Sequence, residues 1–123
     1  MILDGKTKEA IASGTQFILP SFNTCEEVIF KASYIVASNI KCNGKVTALF
    51  DLIILGNIEA AEIDVKGKFV CLGNCEVAGS IIVQNEIWAN YIRAENIEAH
   101  DRIVAQDIDS GNIISQGSIV VRK

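Results

Sequence analysis

The sequence is short of the residues from which most enzyme active sites are built. Its 123 residues include one histidine, one proline, one tryptophan and four cysteines. Cys71 and Cys75 have three residues between them, and no second pair completes a zinc-ligand pattern. No Gly-rich phosphate loop, Ser–His–Asp set or cysteine nucleophile beside a base is apparent. We therefore predict a protein that is not an enzyme and holds no cofactor and no metal.

Long apolar runs and a strong net charge are also missing. Half of the residues are hydrophobic, yet no run approaches the roughly 18 apolar residues that a membrane-spanning helix needs. A net charge of −4, with acidic and basic residues interspersed, provides no electrostatic footprint for nucleic acid. The segment Met1 to Gly14 lacks the apolar centre of a signal peptide. These absences predict a cytoplasmic protein that does not bind nucleic acid.

What the sequence does contain is a short repeat. From Val28 onward, a large apolar residue, any residue and then a small or apolar residue recur at steps of five or six residues, as in Ile92-Arg-Ala94 and Ile97-Glu-Ala99. The first and third residues of an extended triplet point the same way, so each unit is typical of a short strand with two inward side chains. Glycine and asparagine lie at the corners between triplets. This pattern predicts an all-β, single-domain parallel β-helix over residues 28–123.

The middle residue of each triplet points outward and indicates how many strands make one coil. Taking every third triplet sorts the outward residues into three faces. The apolar face consists of Ile35, Ile53, Val70, Trp88, Val104 and Val120. The charged face consists of Lys41, Glu59, Glu76, Arg93 and Asp109. The mixed face consists of Ile29, Thr47, Asp64, Ile82, Glu98 and Ile114. The sorting predicts a three-sided helix of about six coils, with successive coils of 18, 17, 18, 16 and 16 residues.

Residues 1–27 fit the repeat poorly, and we predict that they form an N-terminal tail or cap segment. Within them, Phe17 to Phe22 is the most apolar stretch outside the repeat. Three interpretations remain open: an irregular first strand, a segment over one end of the stack, or a segment folded back along the apolar face. Direct membrane contact through this stretch is a further interpretation, which we do not favour.

The apolar face predicts an interface. Neighbouring strands lie about 4.8 Å apart, so its six side chains form a stripe roughly 24 Å long. Such a stripe presents on the order of 300–500 Å² of apolar area, near the limit that a soluble monomer leaves uncovered. Tryptophan is enriched at binding hot spots, and Trp88 lies in the middle of the stripe. We predict that the partner is most simply a second copy of the chain.

The stretch Val28 to Lys123 resembles the bactofilins, bacterial cytoskeletal proteins that form polymers. The features that carry the resemblance are the triplet spacing, corners such as Asn43-Gly44 and Leu72-Gly73-Asn74, and a chain that is little more than the helix. The resemblance implies a right-handed, three-sided β-helix and end-to-end polymerisation without nucleotide. Only Arg122 and Lys123 follow the last triplet, so we expect an unprotected strand edge there. The chain lacks the proline-rich tails of that family and is unusually rich in exposed isoleucine.

Two other functions remain as alternatives. One is a hexapeptide-repeat acyltransferase or the remnant of one, in which His100 would act as a general base oriented by a carboxylate. The five-residue steps argue against it, because that family keeps a stricter six-residue step. The other is a scaffold or binding module that docks a different protein through the apolar face.

Overall fold

The chain folds into parallel strands stacked as a β-solenoid. The computed structural model describes residues 2–3, 17–19, 22–24, 27–31, 33–37 and 39–121. Within these residues the chain is all-β, as the repeat predicts, and every strand pair is parallel. The fifteen strands are β1 (Ile2–Leu3), β2 (Phe17–Leu19), β3 (Phe22–Thr24), β4 (Val28–Phe30), β5 (Tyr34–Val36), β6 (Ile40–Cys42), β7 (Lys45–Ala48), β8 (Leu52–Ile54), β9 (Ile58–Ala60), β10 (Glu62–Val65), β11 (Phe69–Val77), β12 (Ser80–Val83), β13 (Ile87–Ala99), β14 (Ile103–Ser115) and β15 (Ile119–Val121).

Each triplet pairs with the triplet one coil further along, so the strands stack in three columns. One column places in register Val28, Val46, Ile63, Ile81, Ile97 and Ile113. These partners are 18, 17, 18, 16 and 16 residues apart, which confirms each predicted coil length. From Val28 onward the chain therefore completes five turns and begins a sixth, slightly fewer than the predicted count.

The first and third residues of the triplets fill the interior. From Val28 to Ala99 these residues are buried, apart from the half-buried Ala89, and the core of the described residues contains only apolar side chains and cysteines. The aromatic rings of Phe30 and Tyr34 lie 5.2 Å apart, centroid to centroid, inside this core. Between Val28 and Ala99 the triplets thus turn two side chains inward and one outward, the alternation that extended backbone imposes.

Several predicted corners are continuous strand. β13 and β14 each contain three of the predicted triplets without a break in strand structure. Between the triplets, Tyr91 pairs with Asp107 and Asn96 pairs with Asn112. A five-residue step leaves only two residues between one triplet and the next, and these residues stay extended and paired with the neighbouring coil. The chain bends there without leaving the hydrogen-bonded ladder.

The six-residue corners are held by a different contact. The side-chain oxygen of Asn39 accepts a hydrogen bond of 2.8 Å from the Asn57 amide, and the side-chain oxygen of Asn57 accepts one of 2.7 Å from the Asn74 amide. The Gly73 amide donates to the Gly56 carbonyl at 2.9 Å, so the two Leu-Gly-Asn corners stack one coil apart. A Cβ at Gly73 would lie only 2.6 Å from the Gly56 carbonyl oxygen, which explains why glycine occupies this corner.

The N-terminal segment also contributes strands to the stack. β2 pairs with β5, and β3 pairs with β6, both in parallel and in register. Because β2 and β3 are hydrogen-bonded into the columns, they do not fold back along the apolar face, and that interpretation is wrong. The pairing fits the interpretation of an irregular first strand. Most of the predicted 1–27 tail or cap segment, including Pro20 and Ser21, lies outside the described residues.

Candidate interaction surfaces

The structure brings all six predicted interface residues into one line. In consecutive coils Ile35 pairs with Ile53, Ile53 with Val70, Val70 with Trp88, Trp88 with Val104 and Val104 with Val120. Residues 16–18 positions apart in sequence thus become neighbours on a single surface. Cross-strand contacts between such residues stabilise the sheet itself as well as shaping the surface.

The side chains of the apolar face are partly covered by their neighbours in the adjacent coils. Five of the six are half-buried, and Val104 is only 6% exposed. Val104 lies between Trp88 and Val120 in the register, so a side chain of the same face flanks it on both sides. The face is therefore a closely packed, flat apolar surface rather than a row of projecting side chains.

Trp88 lies beside a group of charged residues at the edge of the apolar face. The guanidinium carbon of Arg102 stands 5.0 Å from the centroid of the Trp88 ring, a cation–π contact. The Nε of Arg102 is 2.9 Å from one Glu86 carboxylate oxygen, and the Nζ of Lys68 is 3.1 Å from the other. Hydrogen bonds from Arg102 and then Lys68 lower the pKa of Glu86 from its ordinary value. These contacts fix the orientation of the indole ring.

A hollow next to Trp88 was not predicted from the sequence. It has a volume of about 220 Å³ and is lined by Cys71, Leu72, Trp88, Ala89, Asn90 and Gln106. Leu72, at one rim, is 58% exposed, which, together with Ile114, is the highest value among the large hydrophobic side chains whose burial the structure describes. Leu55 stacks one coil away from Leu72 and is 44% exposed. The repeat analysis assigned these leucines to corners and therefore missed their apolar contribution to this edge.

The charged face forms a second line of stacked side chains. Lys41 pairs with Glu59, Glu59 with Glu76, Glu76 with Arg93 and Arg93 with Asp109, as the sorting of outward residues predicts. All five are exposed. An open groove of about 640 Å³ runs along this face and its following corner. The Arg93–Asp109 ion pair spans 4.0 Å, with both side chains about two-thirds exposed, so it contributes little to stability.

The last described turn exposes apolar residues at inward positions. Ile113, Ile119 and Val121 are 37%, 45% and 43% exposed, although their registers match buried residues of earlier coils. Within the described residues a coil lies on only one side of them. On the mixed face of the same turn, Ile114 is 58% exposed.

His100 lies at an exposed corner. Its Nε2 is 3.4 Å from a carboxylate oxygen of Glu98, not of Asp101, its neighbour in the sequence. Both side chains are about 40% exposed. Among the described residues no three histidine, cysteine or acidic side chains are grouped as a metal ion would need.

The cysteines at inward positions are part of the core rather than of a site. The side chains of Cys42, Cys71 and Cys75 are all buried. Burial raises the pKa of the Cys71 thiol to about 11 and raises that of Cys75 well above its ordinary value. A thiol in this state is a small hydrophobe and a poor nucleophile.

In the described part of the chain, no helix has the length and apolar character needed to cross a membrane. The interpretation of membrane contact through Phe17 to Phe22, which we do not favour, concerns side chains that lie outside the described residues. Comparison with family models, with curated proteins and with solved structures found no significant match to this chain.

Proposed function

We propose that this chain is a non-enzymatic structural protein that associates with itself, as the resemblance to bactofilins implies. The proposal includes a bacterial cytoplasmic setting and assembly of the β-solenoids into larger polymers. Its lateral interface is the apolar face formed by Ile35, Ile53, Val70, Trp88, Val104 and Val120, whereas growth into polymers takes place end to end, as the resemblance implies.

The observation that carries the proposal is the continuous apolar ladder on one of three faces. Its six residues occupy successive coils, whereas the charged face presents a charged residue in each coil from Lys41 to Asp109. A solenoid needs apolar residues only at inward positions, so the fold itself does not require an apolar outward column. An interface does require one, because burial of apolar surface is the main favourable term in association.

Trp88 is the side chain with the largest expected share of the binding energy. It lies at mid-ladder, and Arg102 and Glu86 hold its surroundings in place. An aromatic side chain that is already oriented loses little conformational freedom on binding, which favours a hot spot.

The experiment compares Trp88→Lys with Thr47→Lys by sedimentation velocity and negative-stain microscopy over a range of protein concentrations. Thr47 is also half-buried and outward, but on the mixed face, and both substitutions add one positive charge. We expect wild type and Thr47→Lys to form oligomers or filaments. We expect Trp88→Lys to weaken association by a factor of about 30 or more, the loss of a hot spot of at least ~2 kcal/mol. Circular dichroism checks that both variants are folded.

The results separate the proposal from its alternatives. A wild type that stays monomeric at every concentration and salt would overturn self-association and favour a different protein as partner of the apolar face. Oligomers unaffected by Trp88→Lys would keep self-association but move the interface to the coil ends or to another face. A discrete trimer with hydrolytic or transferase activity dependent on His100 would favour the acyltransferase-like alternative.

A further inference from the structure

A column of polar residues runs along one edge of the apolar face. Each of these residues immediately precedes a strand of that face. The backbone amide of the first residue in each strand donates a hydrogen bond to the carbonyl of the polar residue one coil further along. Such bonds join Tyr34 to Asp51, Leu52 to Lys68, Phe69 to Glu86, Ile87 to Arg102 and Ile103 to Ser118, at 2.9–3.2 Å. The corner column therefore reads, coil by coil, Ser33, Asp51, Lys68, Glu86, Arg102 and Ser118.

The charges of the corner column alternate because neighbouring coils pair with each other. The Asp51 carboxylate accepts a hydrogen bond of 2.8 Å from the Lys68 amide, and the Lys68 and Arg102 side chains both contact Glu86. The order is thus neutral, negative, positive, negative, positive, neutral. The Lys68 and Arg102 side chains remain 44% and 47% exposed, so their charges still reach a partner at this edge.

Two copies of this column place opposite charges opposite each other only when the two columns run in opposite directions. Two copies that meet through the apolar face are related by a two-fold axis in the plane of the interface. If that axis runs along the strands, the solenoids are antiparallel and each corner column faces its own copy in reverse order. Ser33 then faces Ser118 of the second copy, Asp51 faces Arg102, and Lys68 faces Glu86. If the axis runs along the solenoid, the column instead faces the opposite corner, where the matching positions are Leu55, Leu72, Asn90 and Gln106.

The same antiparallel axis also matches the apolar face. It passes between the coils of Val70 and Trp88, so the bulky Trp88 faces the smaller Val70 of the second copy. By the same operation Ile53 faces Val104, and Ile35 faces Val120. All six residues of the apolar face are then paired, and strand β2, which pairs with β5 one coil earlier, extends beyond the paired levels at one end.

The hollow beside Trp88 provides an independent match at the other edge. Leu72 follows the strand at the level of Val70, and Asn90 follows the strand at the level of Trp88. The antiparallel axis exchanges these levels, so the exposed Leu72 of one copy lies over Asn90 of the other. The hollow of about 220 Å³ is lined there by Trp88, Ala89 and Asn90. Each copy thus offers both a projecting leucine and a hollow to receive one, as a two-fold interface requires.

We propose that two copies pair through the apolar face as an antiparallel dimer, with the two-fold axis along the strands between the coils of Val70 and Trp88. The pairing rests on the proposed self-association and adds its orientation and register. Exposed charge pairs at the rim contribute more to orientation than to affinity, which is the role that the corner column has in this dimer. The apolar ladder and the Leu72 contact provide the affinity.

The test uses two variants that each carry one new cysteine, Ile35→Cys and Val120→Cys, with Cys25→Ser in both. The remaining cysteines are buried, so the new thiols are the reactive ones. Residues 35 and 120 lie five coil steps apart, roughly 24 Å, whereas two facing sheets are about 10 Å apart. Each variant alone, and a mixture of the two, is treated with a short bismaleimide after subunit exchange. Sedimentation of the untreated proteins, and of wild type, reports association separately.

The antiparallel dimer predicts cross-linked dimer in the mixture, up to about half of the protein, and only background in either variant alone. Cross-linking of Ile35→Cys with itself would overturn the orientation, because it requires parallel solenoids. A mixture that sediments as dimers but does not cross-link would overturn the register. Either result leaves self-association intact, whereas a wild type that sediments as a monomer removes both the dimer and the proposed function.

Discussion

The apolar face and the charged face are built on the same scaffold but present different surfaces. Ile87 begins the triplet of strand β13 that contributes to the apolar face, and Ile92 begins the triplet of the same strand that contributes to the charged face. Both isoleucines point inward and are fully buried, at 0% exposure. The outward residues of these triplets differ: Trp88 is half-buried and packed in a ladder, whereas Arg93 is exposed. Five residues along one strand separate a candidate interface from a solvated surface.

Inward and outward residues of this sequence have different roles: inward residues build the solenoid, and outward residues determine the chemistry of its faces. Inward side chains stack with the same inward positions of the coils before and after, and so define the solenoid. Outward side chains are not needed for this stacking, because successive residues of a strand point to opposite sides. The three faces can therefore differ in chemistry without any change in the fold.

The largest effect should come from truncating inward residues, and it should be equal on the two faces. We expect Ile87→Ala and Ile92→Ala each to lower the free energy of unfolding by about 2–5 kcal/mol, the cost of a cavity in a packed core. Chemical denaturation measures this, with the outward Thr47→Ala as control, expected within about 0.5 kcal/mol of wild type. A much larger loss at one isoleucine than at the other would show that the faces are not equivalent on the inside.

A comparable effect should appear at high pH, at the inward Cys71 that ends a triplet of the apolar face. Folded Cys71 has a pKa of about 11, against 9.0 for the unperturbed thiol. The raised pKa means that its contribution to stability is complete below pH 9 and is lost as pH rises toward 11. Unfolding by urea should show a loss of about 2 kcal/mol from this thiol by pH 11.

Cys71→Ala provides the matched comparison for this loss. It removes the thiol but keeps a small apolar side chain, so its stability should fall less steeply than that of wild type above pH 9. Part of the slope should remain, because Cys75 also has a raised pKa. Identical slopes in the two proteins would contradict the assignment to Cys71.

A smaller effect is expected from a Cβ at the corners. In Gly73→Ala, between the apolar and charged faces, the new carbon would lie 2.6 Å from the Gly56 carbonyl oxygen, so backbone has to move. We expect a loss of about 1–3 kcal/mol in thermal or urea unfolding. In Gly79→Ala, between the charged and mixed faces, the nearest atoms are at 3.1 Å and 3.2 Å, and one belongs to the flexible Glu62 side chain. This variant should lose clearly less.

The smallest effect should come from neutralising single carboxylates. Glu86 beside the apolar face has two ion-pair partners, while Glu76 on the charged face is exposed. Glu86→Gln should cost at most about 1 kcal/mol, and Glu76→Gln almost nothing. Because the pKa of Glu86 is lowered, the cost should be complete above its ordinary pKa and should disappear as pH falls through the lowered value. Equal effects of the two variants at neutral pH would contradict the role of these ion pairs.

The sequence pattern was sufficient for the coil lengths and for the membership of each face. Val28, Val46 and Ile63 could be aligned because a triplet repeats, and their pairing follows from that alignment alone. The same pattern was a poor guide wherever side chains from different coils contact each other. Val104 was expected to be exposed but is covered between its neighbours, and the stretch Phe17–Leu19 was left open but pairs as a strand.

The edge features of the apolar face were missed for the same reason. Leu72 and Asn90 are not part of any triplet, so the repeat pattern identifies their positions only as corners. The alternating order of Asp51, Lys68, Glu86 and Arg102 becomes visible once each is known to precede a strand of one face. That signal was present in the sequence, and reading the residue before each triplet, as well as its middle residue, would have found it.

The sequence by itself determined which residues face inward and how long each coil is, because alternation along an extended strand is a local property of the backbone. Only the tertiary structure decided what each outward residue touches. Stacking brings residues 16–18 positions apart to within one strand spacing of each other, and it is this spacing that makes Arg102 a neighbour of both Trp88 and Glu86. The contacts across coils depend on side-chain length and on the bend at each corner, which no single triplet contains.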